Sequence, residues 1–443
     1  MDPELQTILE KERKLLEEAE VPIATVSATA FDQIGEEYAY KFKREEIVFS
    51  RAHYSQALSL LVTAAHSDKT FWFVDPTNFV AAEDWQKVVM TEKIAEAVAR
   101  HELLKKIKGI IDTRAREKLP ISDAIKEPLL FFFQNVTRPI ASFHYETGNL
   151  LVDAGKTVLQ AVTDPHVRPQ YLKNADKNNL SFAVFDDKTK IELLEGAQRE
   201  RKTLDADRVH VTGPPVDPRI VEARKTKSVD KFVERFTHPS PIEASLRLGI
   251  TTGGLGTNKG EIELILNQLL PHLTATPPRI QLVCYAGTHE DFAAMFGLFA
   301  NAHQIAVGNE FDQTATYRIL RGNNIMDANE KLVSWMFPWA DGVITKPSGD
   351  MAYDSAAAGC FLLLMEPWGE WEERIQETFE QKGIARRANP ETFQSQLKAL
   401  EQPALHDHET WFAHAIEQAL NLDTLFLSGA QNILNTLLTL QKV

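Results

Sequence analysis

Chemistry shows first in the stretch from Trp339 to Gly359. Gly342-Val343-Ile344-Thr345 is a short β-branched run, Pro347 and Gly349 break it, and Asp350 to Ala358 reads as helix. A junction of this kind leaves backbone N–H groups without intrahelical partners. It also sets about half a positive charge at the helix start, which suits a phosphate without a metal. Asp354, one turn beyond Asp350, is placed to receive hydroxyl groups of a ligand held there. A second junction precedes it. Arg247 to Thr252 reads as strand, Gly253-Gly254-Leu255-Gly256-Thr257-Asn258-Lys259-Gly260 as a glycine-rich loop and Glu261 to Leu270 as helix. The loop matches neither G-x-x-x-x-G-K-[ST] nor G-x-G-x-x-G, so alone it is a tight turn. Paired with the turn at Gly349, it can clasp a diphosphate.

The elements that must position these turns alternate as in α/β domains. Asp2-Pro3-Glu4 starts a helix with Leu5, Ile8, Leu9, Leu15 and Leu16 on one stripe. Its polar face is acidic, which favours docking on the protein over a membrane. Strands are expected at Glu45 to Ser50 and Thr70 to Val74, with a turn at Arg51 to Tyr54 and a helix at Ser55 to His66. Trp85 to Gly148 reads as mostly helical, and Leu129 to Phe133 as core, with a docking surface for an apolar ligand as the lesser alternative. Further strands are expected within Lys156 to His166, which ends in a polar loop, at Leu180 to Phe185, within Arg208 to Pro218, which ends in a proline-rich turn, and at Arg279 to Tyr285 and Phe361 to Met365. The expected domains are an N-terminal helix (1–24), a first Rossmann-like domain (25–224), a linker (225–241), a second Rossmann-like domain (242–405) and C-terminal helices packing across both (406–443).

The 443 residues are 44% hydrophobic and 25% charged, enough for two or three cores. A net charge of −14 disfavours nucleic acid and weakens attraction to anionic lipid. Cys284 and Cys360 sit in apolar runs and read as buried thiols in a reducing, cytoplasmic compartment. Neither a signal peptide nor a membrane-spanning run is evident, and attachment to the inner membrane face stays open.

Several ordered pieces resemble the nucleotide-sugar glycosyltransferases that include monogalactosyldiacylglycerol synthase, processive diacylglycerol glucosyltransferases and the lipid I N-acetylglucosaminyltransferase of peptidoglycan synthesis. Ala340 to Gly349 is similar to that family's segment of alanine-aspartate, apolar strand and threonine-lysine-proline-glycine-glycine. Val211 to Arg219 resembles its threonine-glycine, proline-valine-aspartate turn, Thr163 to His166 its threonine-aspartate, histidine loop, and Gly253 to Gly256 its second glycine loop. The resemblance covers about Gln160 to Ala388. It implies a GT-B fold of two Rossmann-like domains facing across a cleft, with the donor bound mainly by the second.

By that resemblance Gly254, Gly256, Ser348 and Gly349 hold the donor diphosphate, Gly253, Asn258 and Lys346 belong to the same donor site, and Asp354 stands where the family has a ribose-binding glutamate. Glu370, Glu372 and Arg374 fall where it has sugar-binding residues, and a solvated helix start explains them equally well. The family's glycine turn with histidine becomes Ser50-Arg51-Ala52-His53, without the glycines. An imidazole at His53 can remove an acceptor proton, and a histidine in a turn can equally be a local hydrogen-bonding group. Asp164 is the competing base or the group that orients it. Asp205-Ala206-Asp207 reads as surface, so no metal or other cofactor is expected, and a helix N-terminus would stabilise the leaving group.

The expected activity is inverting transfer of a sugar from a nucleoside diphosphate, UDP by preference, to an acceptor hydroxyl, a lipid being what the family suggests. The alternatives are a catalytically inactive nucleotide-sugar-binding subunit and a UDP-sugar 2-epimerase of the same fold.

Overall fold

The computed structural model describes residues 3–28, 47–80, 121–236, 244–253, 256–403 and 410–441. They form two compact units, Met1–Asp217 with Ser428–Val443, and Pro218–Leu427. Each is built on a six-stranded sheet in which every neighbouring pair is parallel.

In the first unit the strands are β1 Val21–Ala24, β2 Phe71–Val74, β3 Ile140–Ser142, β4 Val158–Ala161, β5 Leu180–Val184 and β6 Val209–Val211, ordered β2-β1-β3-β4-β5-β6. Alternation along β5 shows how both faces are filled. Leu180, Phe182 and Val184 join a core with Leu9, Leu16, Phe132 and Phe133, while Ala183 joins the opposite core with Leu60, Ala64, Ile433 and Leu437. The aromatic cluster is therefore largely interior, with Phe131 half-buried beneath the Arg13 guanidinium, 4.8 Å from its ring centre.

Four expectations for this unit are corrected. The N-terminal helix is Pro3–Glu18, and Val21–Ala24 is strand. Pro22 hides that strand in the sequence, yet costs little because β3 pairs with β1 only from Ile23 onward. Of the strand expected at Glu45 to Ser50, residues 45 and 46 lie outside the described residues, and Val48 makes only an isolated antiparallel bridge to Ala28. The helix after it begins at Arg51, so His53 lies in its first turn. Finally, the strand β3 interrupts a segment expected to be mostly helical, and the helix Tyr145–Asp153 follows it, residues 85–120 being outside the described set. Ile140-Ala141-Ser142 carries little β propensity; pairing on both sides and full burial make it a strand.

In the second unit β7 Leu246–Thr251, β8 Ile280–Gly287, β9 Tyr317–Arg321, β10 Gly342–Thr345, β11 Phe361–Leu364 and β12 Ala385–Arg387 are ordered β12-β11-β10-β7-β8-β9. Leu246, Leu248 and Ile250 alternate into one core with Ile262, Ile265 and Leu269 of the helix Lys259–Leu273. The edge strands β9 and β12 were not anticipated. Part of the expected linker, Val229–Phe236, is a helix whose Phe232 enters this same core, and residues 237–243 lie outside the described set. Of the C-terminal helices, Trp411–Leu420 places Phe412 and Ile416 in the second unit's core, whereas Gly429–Leu440 places Ile433, Leu434 and Leu437 in the first unit's. Both cysteines are buried and unpaired with each other. Among the described residues no helix is long and apolar enough to cross a membrane.

Candidate active site

In each sheet the strand order reverses at one place, β1/β3 in the first unit and β7/β10 in the second. Chains leaving the carboxyl ends of such strands diverge and open a crevice, the usual ligand position in open α/β sheets. Of the residues singled out in the sequence, His53 lies between β1 and β2 and Asp164 after β4, while Gly253, Gly256 and Asn258 follow β7, Lys346, Ser348, Gly349 and Asp354 follow β10, and Glu370, Glu372 and Arg374 follow β11.

In the first unit Ser50 caps the helix Arg51–His66, its Oγ accepting the His53 backbone N–H at 3.3 Å. His53 Nδ1 lies 2.9 Å from the Val26 carbonyl oxygen. A carbonyl only accepts, so Nδ1 carries the proton and the lone pair sits on Nε2. The His53 ring meets His144 edge to face, 5.0 Å between centroids. His144 follows β3 and caps the helix Tyr145–Asp153, its Nδ1 accepting from the Glu146 N–H at 3.2 Å. Burial, reinforced by the charges of His53 and Arg168, pushes its pKa well below 6.5. Asp164 pairs with Arg168 at 3.4 Å, and its neighbour Thr163 receives Gln56 Nε2 on its carbonyl at 2.9 Å. Gln56 thus ties the helix of His53 to the loop of Asp164. Asp75, after β2, accepts from Ser27 N at 2.7 Å, Ala28 N at 3.1 Å and Thr77 Oγ1 at 2.6 Å, and holds the loop after β1 in place.

The structure therefore adds His144 to the residues chosen from the sequence. Its only signal was a histidine after a short run, Ile140-Ala141-Ser142-Phe143, inside a segment of helical composition.

The neutral state of His144 has a measurable consequence. In the unfolded chain it titrates near 6.5 and in the folded chain lower, so between those values the unfolded state holds the extra proton. Stability is then expected to fall as pH is lowered from 6.5 towards the folded value, by up to about 1.4 kcal/mol per pH unit. In urea unfolding, His144→Asn, which keeps a capping side chain, should show a shallower acid dependence than the parent. Parallel profiles would refute the assignment.

In the second unit the two turns lie side by side. Thr251, ending β7, donates from Oγ1 to Thr345 Oγ1, ending β10, at 2.7 Å. Gly253 is a close approach: a Cβ there would come 3.0 Å from Lys346 Cδ. Gly256 takes a φ of 58°, returning the chain with its N–H on the Gly253 carbonyl at 2.8 Å. Asn258, at the N-cap of Lys259–Leu273, is itself left-handed, with φ 63°, and makes no side-chain cap bond. Its Oδ1 accepts instead from Thr257 Oγ1 at 2.9 Å, and its Nδ2 donates to the Glu261 carboxylate. The Asn258 side chain thus does not compete for the first N–H groups of this helix. The other turn is capped, since Ser348 Oγ accepts from Met351 N at 3.2 Å and donates to Asp350 Oδ1 at 2.7 Å. Gly349 is buried between them. Gly254 lies outside the described residues.

Lys346 leaves β10 and pairs with Glu372 at 2.8 Å, both side chains less than a tenth exposed, with the ammonium 5.5 Å from the Trp368 ring centre. The other Glu372 oxygen accepts the Trp368 backbone N–H at 2.5 Å. Glu372 thereby fastens the loop after β11 to the turn after β10. Asp354 is buried on the helix Met351–Ala357, Glu370 is exposed in the first turn of Glu370–Gln381, and Arg374 is half-buried one turn on.

No family model and no curated protein matches the sequence. Solved structures do align over nearly the whole chain. A single-residue variant of Os79 from O. sativa, in complex with UDP, is 9% identical, with a TM-score of 0.54 over 95% of this chain and 100% of that one. UDP-GlcNAc 2-epimerase from Neisseria meningitidis bound to UDP-GlcNAc is 12% identical, with a TM-score of 0.52 over 95% and 100%. At such identities the likeness is one of fold: the chain has the two-domain α/β GT-B fold.

Proposed function

We propose that the chain is an inverting glycosyltransferase that takes a sugar from a nucleoside diphosphate, UDP by preference, and passes it to an acceptor hydroxyl. One observation carries the reading: at the switch point of the second sheet, two strand-to-helix turns lie against each other, one of them opening a 15-residue helix without a side-chain cap. The solved structures of the same fold were obtained with UDP and UDP-GlcNAc bound, which supports the choice of ligand. The diphosphate is assigned to the N–H groups that start Lys259–Leu273, with Gly253, Gly254, Gly256 and Asn258, and to the turn at Lys346, Ser348 and Gly349. Asp354 takes the ribose, and Glu370, Glu372 and Arg374 border the sugar.

In the transfer step His53 Nε2 accepts the acceptor's hydroxyl proton as that oxygen bonds to the anomeric carbon. The bond from that carbon to the diphosphate oxygen breaks on the opposite face, and UDP leaves with its electron pair. Asp164, paired with Arg168, is the competing base or the group that orients it. No step uses a metal, so transfer should persist in EDTA. A lipid acceptor at a membrane surface follows from the resemblance to the glycolipid and lipid I enzymes; equal transfer to a soluble alcohol and to a lipid would argue against it.

UDP at 100 times its dissociation constant is expected to stabilise the protein by about 2.7 kcal/mol. Incubation with UDP-sugars should then yield a transferred or slowly hydrolysed sugar. An epimeric product would favour the 2-epimerase reading, which the likeness to the Neisseria meningitidis structure makes the second choice. Binding without turnover would indicate an inactive nucleotide-sugar-binding subunit, and no stabilisation by any nucleotide would overturn all three.

A further inference from the structure

His144 stands where a helix start needs only a small capping side chain. Serine, threonine, aspartate and asparagine are the usual residues at an N-cap, because a short side chain suffices to accept one of the first free N–H groups. Here an imidazole does so, and it is held more firmly than capping requires. Its carbonyl accepts from Ser142 Oγ at 2.8 Å, Thr147 Oγ1 at 2.9 Å and the Gly148 N–H at 3.1 Å. Its ring stacks on Tyr145, 4.3 Å between centroids and 29° between planes, and Tyr145 in turn meets Tyr171 edge to face at 5.6 Å.

The cap also fixes which ring nitrogen carries hydrogen. Nδ1 accepts from the Glu146 N–H at 3.2 Å, so the neutral ring carries its hydrogen on Nε2. Among the described residues nothing accepts from that Nε2–H, and His144 keeps a small opening to solvent, at 8% exposure. His53 has the opposite tautomer, with Nδ1 donating to the Val26 carbonyl and the lone pair on Nε2. The two rings meet at 5.0 Å with their planes 74° apart, His53 in the first turn of the helix between β1 and β2 and His144 at the start of the helix after β3. Strand order reverses between β1 and β3, so the pair lies at the crevice of the first sheet. One ring offers an acceptor and the other a donor, and a hydroxyl group can use both at once.

We propose that His144 is a second catalytic residue of the acceptor side, its Nε2–H donating to the oxygen of the hydroxyl whose proton passes to His53 Nε2. This role rests on the glycosyltransferase reading and on His53 as the base. In the step the O–H bond breaks towards His53 and one oxygen lone pair forms the bond to the anomeric carbon. The other lone pair accepts from His144, which keeps its hydrogen throughout. That donation stabilises the negative charge building on the oxygen and fixes the direction of attack.

Two substitutions separate this role from capping. In His144→Asn the amide overlies Nδ1 and caps the helix but puts no donor at the Nε2 position. In His144→Gln the amide nitrogen reaches the Nε2 position and the cap is lost. Melting temperature and turnover of a panel of UDP-sugars, with water and 2-phenylethanol as acceptors, are compared for the parent and both variants. His144→Asn should be the more stable variant, yet slower than the parent by about tenfold or more. His144→Gln should be the less stable, yet faster than His144→Asn by about threefold or more, and UDP should stabilise all three proteins equally. Turnover that instead follows stability, or His144→Asn at the parental rate, would overturn this role and leave the glycosyltransferase reading intact. A parent that turns over no UDP-sugar overturns that reading, and this role with it. Nitrogen NMR of the parent should show the His144 hydrogen on Nε2, and a hydrogen on Nδ1 would overturn the role whatever the turnover.

Discussion

Replacing His53 by asparagine is expected to lower sugar transfer by about 10²–10⁴-fold, the usual contribution of a positioned general base, while leaving stabilisation by UDP unchanged. The argument begins with the tautomer. The Val26 carbonyl at 2.9 Å keeps the proton on Nδ1 and the basic lone pair on Nε2, and the same carbonyl stabilises the imidazolium that forms on proton transfer. His144 at 5.0 Å stays uncharged through burial, so it places no second positive charge beside the imidazole when that ring takes up its proton. Ser50 caps the helix through the His53 backbone N–H, a bond that asparagine retains, so a folding defect is not expected. Initial rates at saturating UDP-sugar, together with the UDP-induced shift in melting temperature, separate loss of chemistry from loss of donor binding. Transfer at the parent rate in His53→Asn would remove this residue as the base.

Lys346→Met is expected to destabilise the protein by about 3–5 kcal/mol, because it leaves the Glu372 carboxylate buried without its cation. Both side chains of the pair are less than a tenth exposed, so water cannot take over the charge. The double variant Lys346→Met with Glu372→Gln should recover most of the loss, since glutamine carries no charge and still offers an oxygen to the Trp368 N–H. Urea unfolding of the parent, both single variants and the double variant closes the cycle. A single-variant loss under about 1 kcal/mol, as an exposed pair would give, would show that the ion pair is not what holds the loop after β11. If Lys346 also contacts the diphosphate, the double variant should fold stably yet lose stabilisation by UDP, which separates its structural part from its binding part.

The sequence by itself determined the alternation of strands and helices over most of the chain and the two glycine-rich or proline-broken turns of the second unit. These are local properties: a β-branched run such as Gly342 to Thr345, a breaker such as Pro347 or Gly349 and a helical continuation need no distant partner to be recognised. The same locality explains the misses. Val21–Ala24 and Ile140–Ser142 are strands because neighbours pair with them and cores close over them, and neither Pro22 nor the run Ile-Ala-Ser announces that. With β3 unseen, the reversal of strand order beside β1 was unseen too, and His144 with it. The ion pair of Lys346 with Glu372 likewise joins residues far apart in sequence. Composition can nominate a lysine, a glutamate or a histidine. Only the packed sheets decide which of them is paired and which stays neutral, because desolvation and contact distance arise only once the chain has folded.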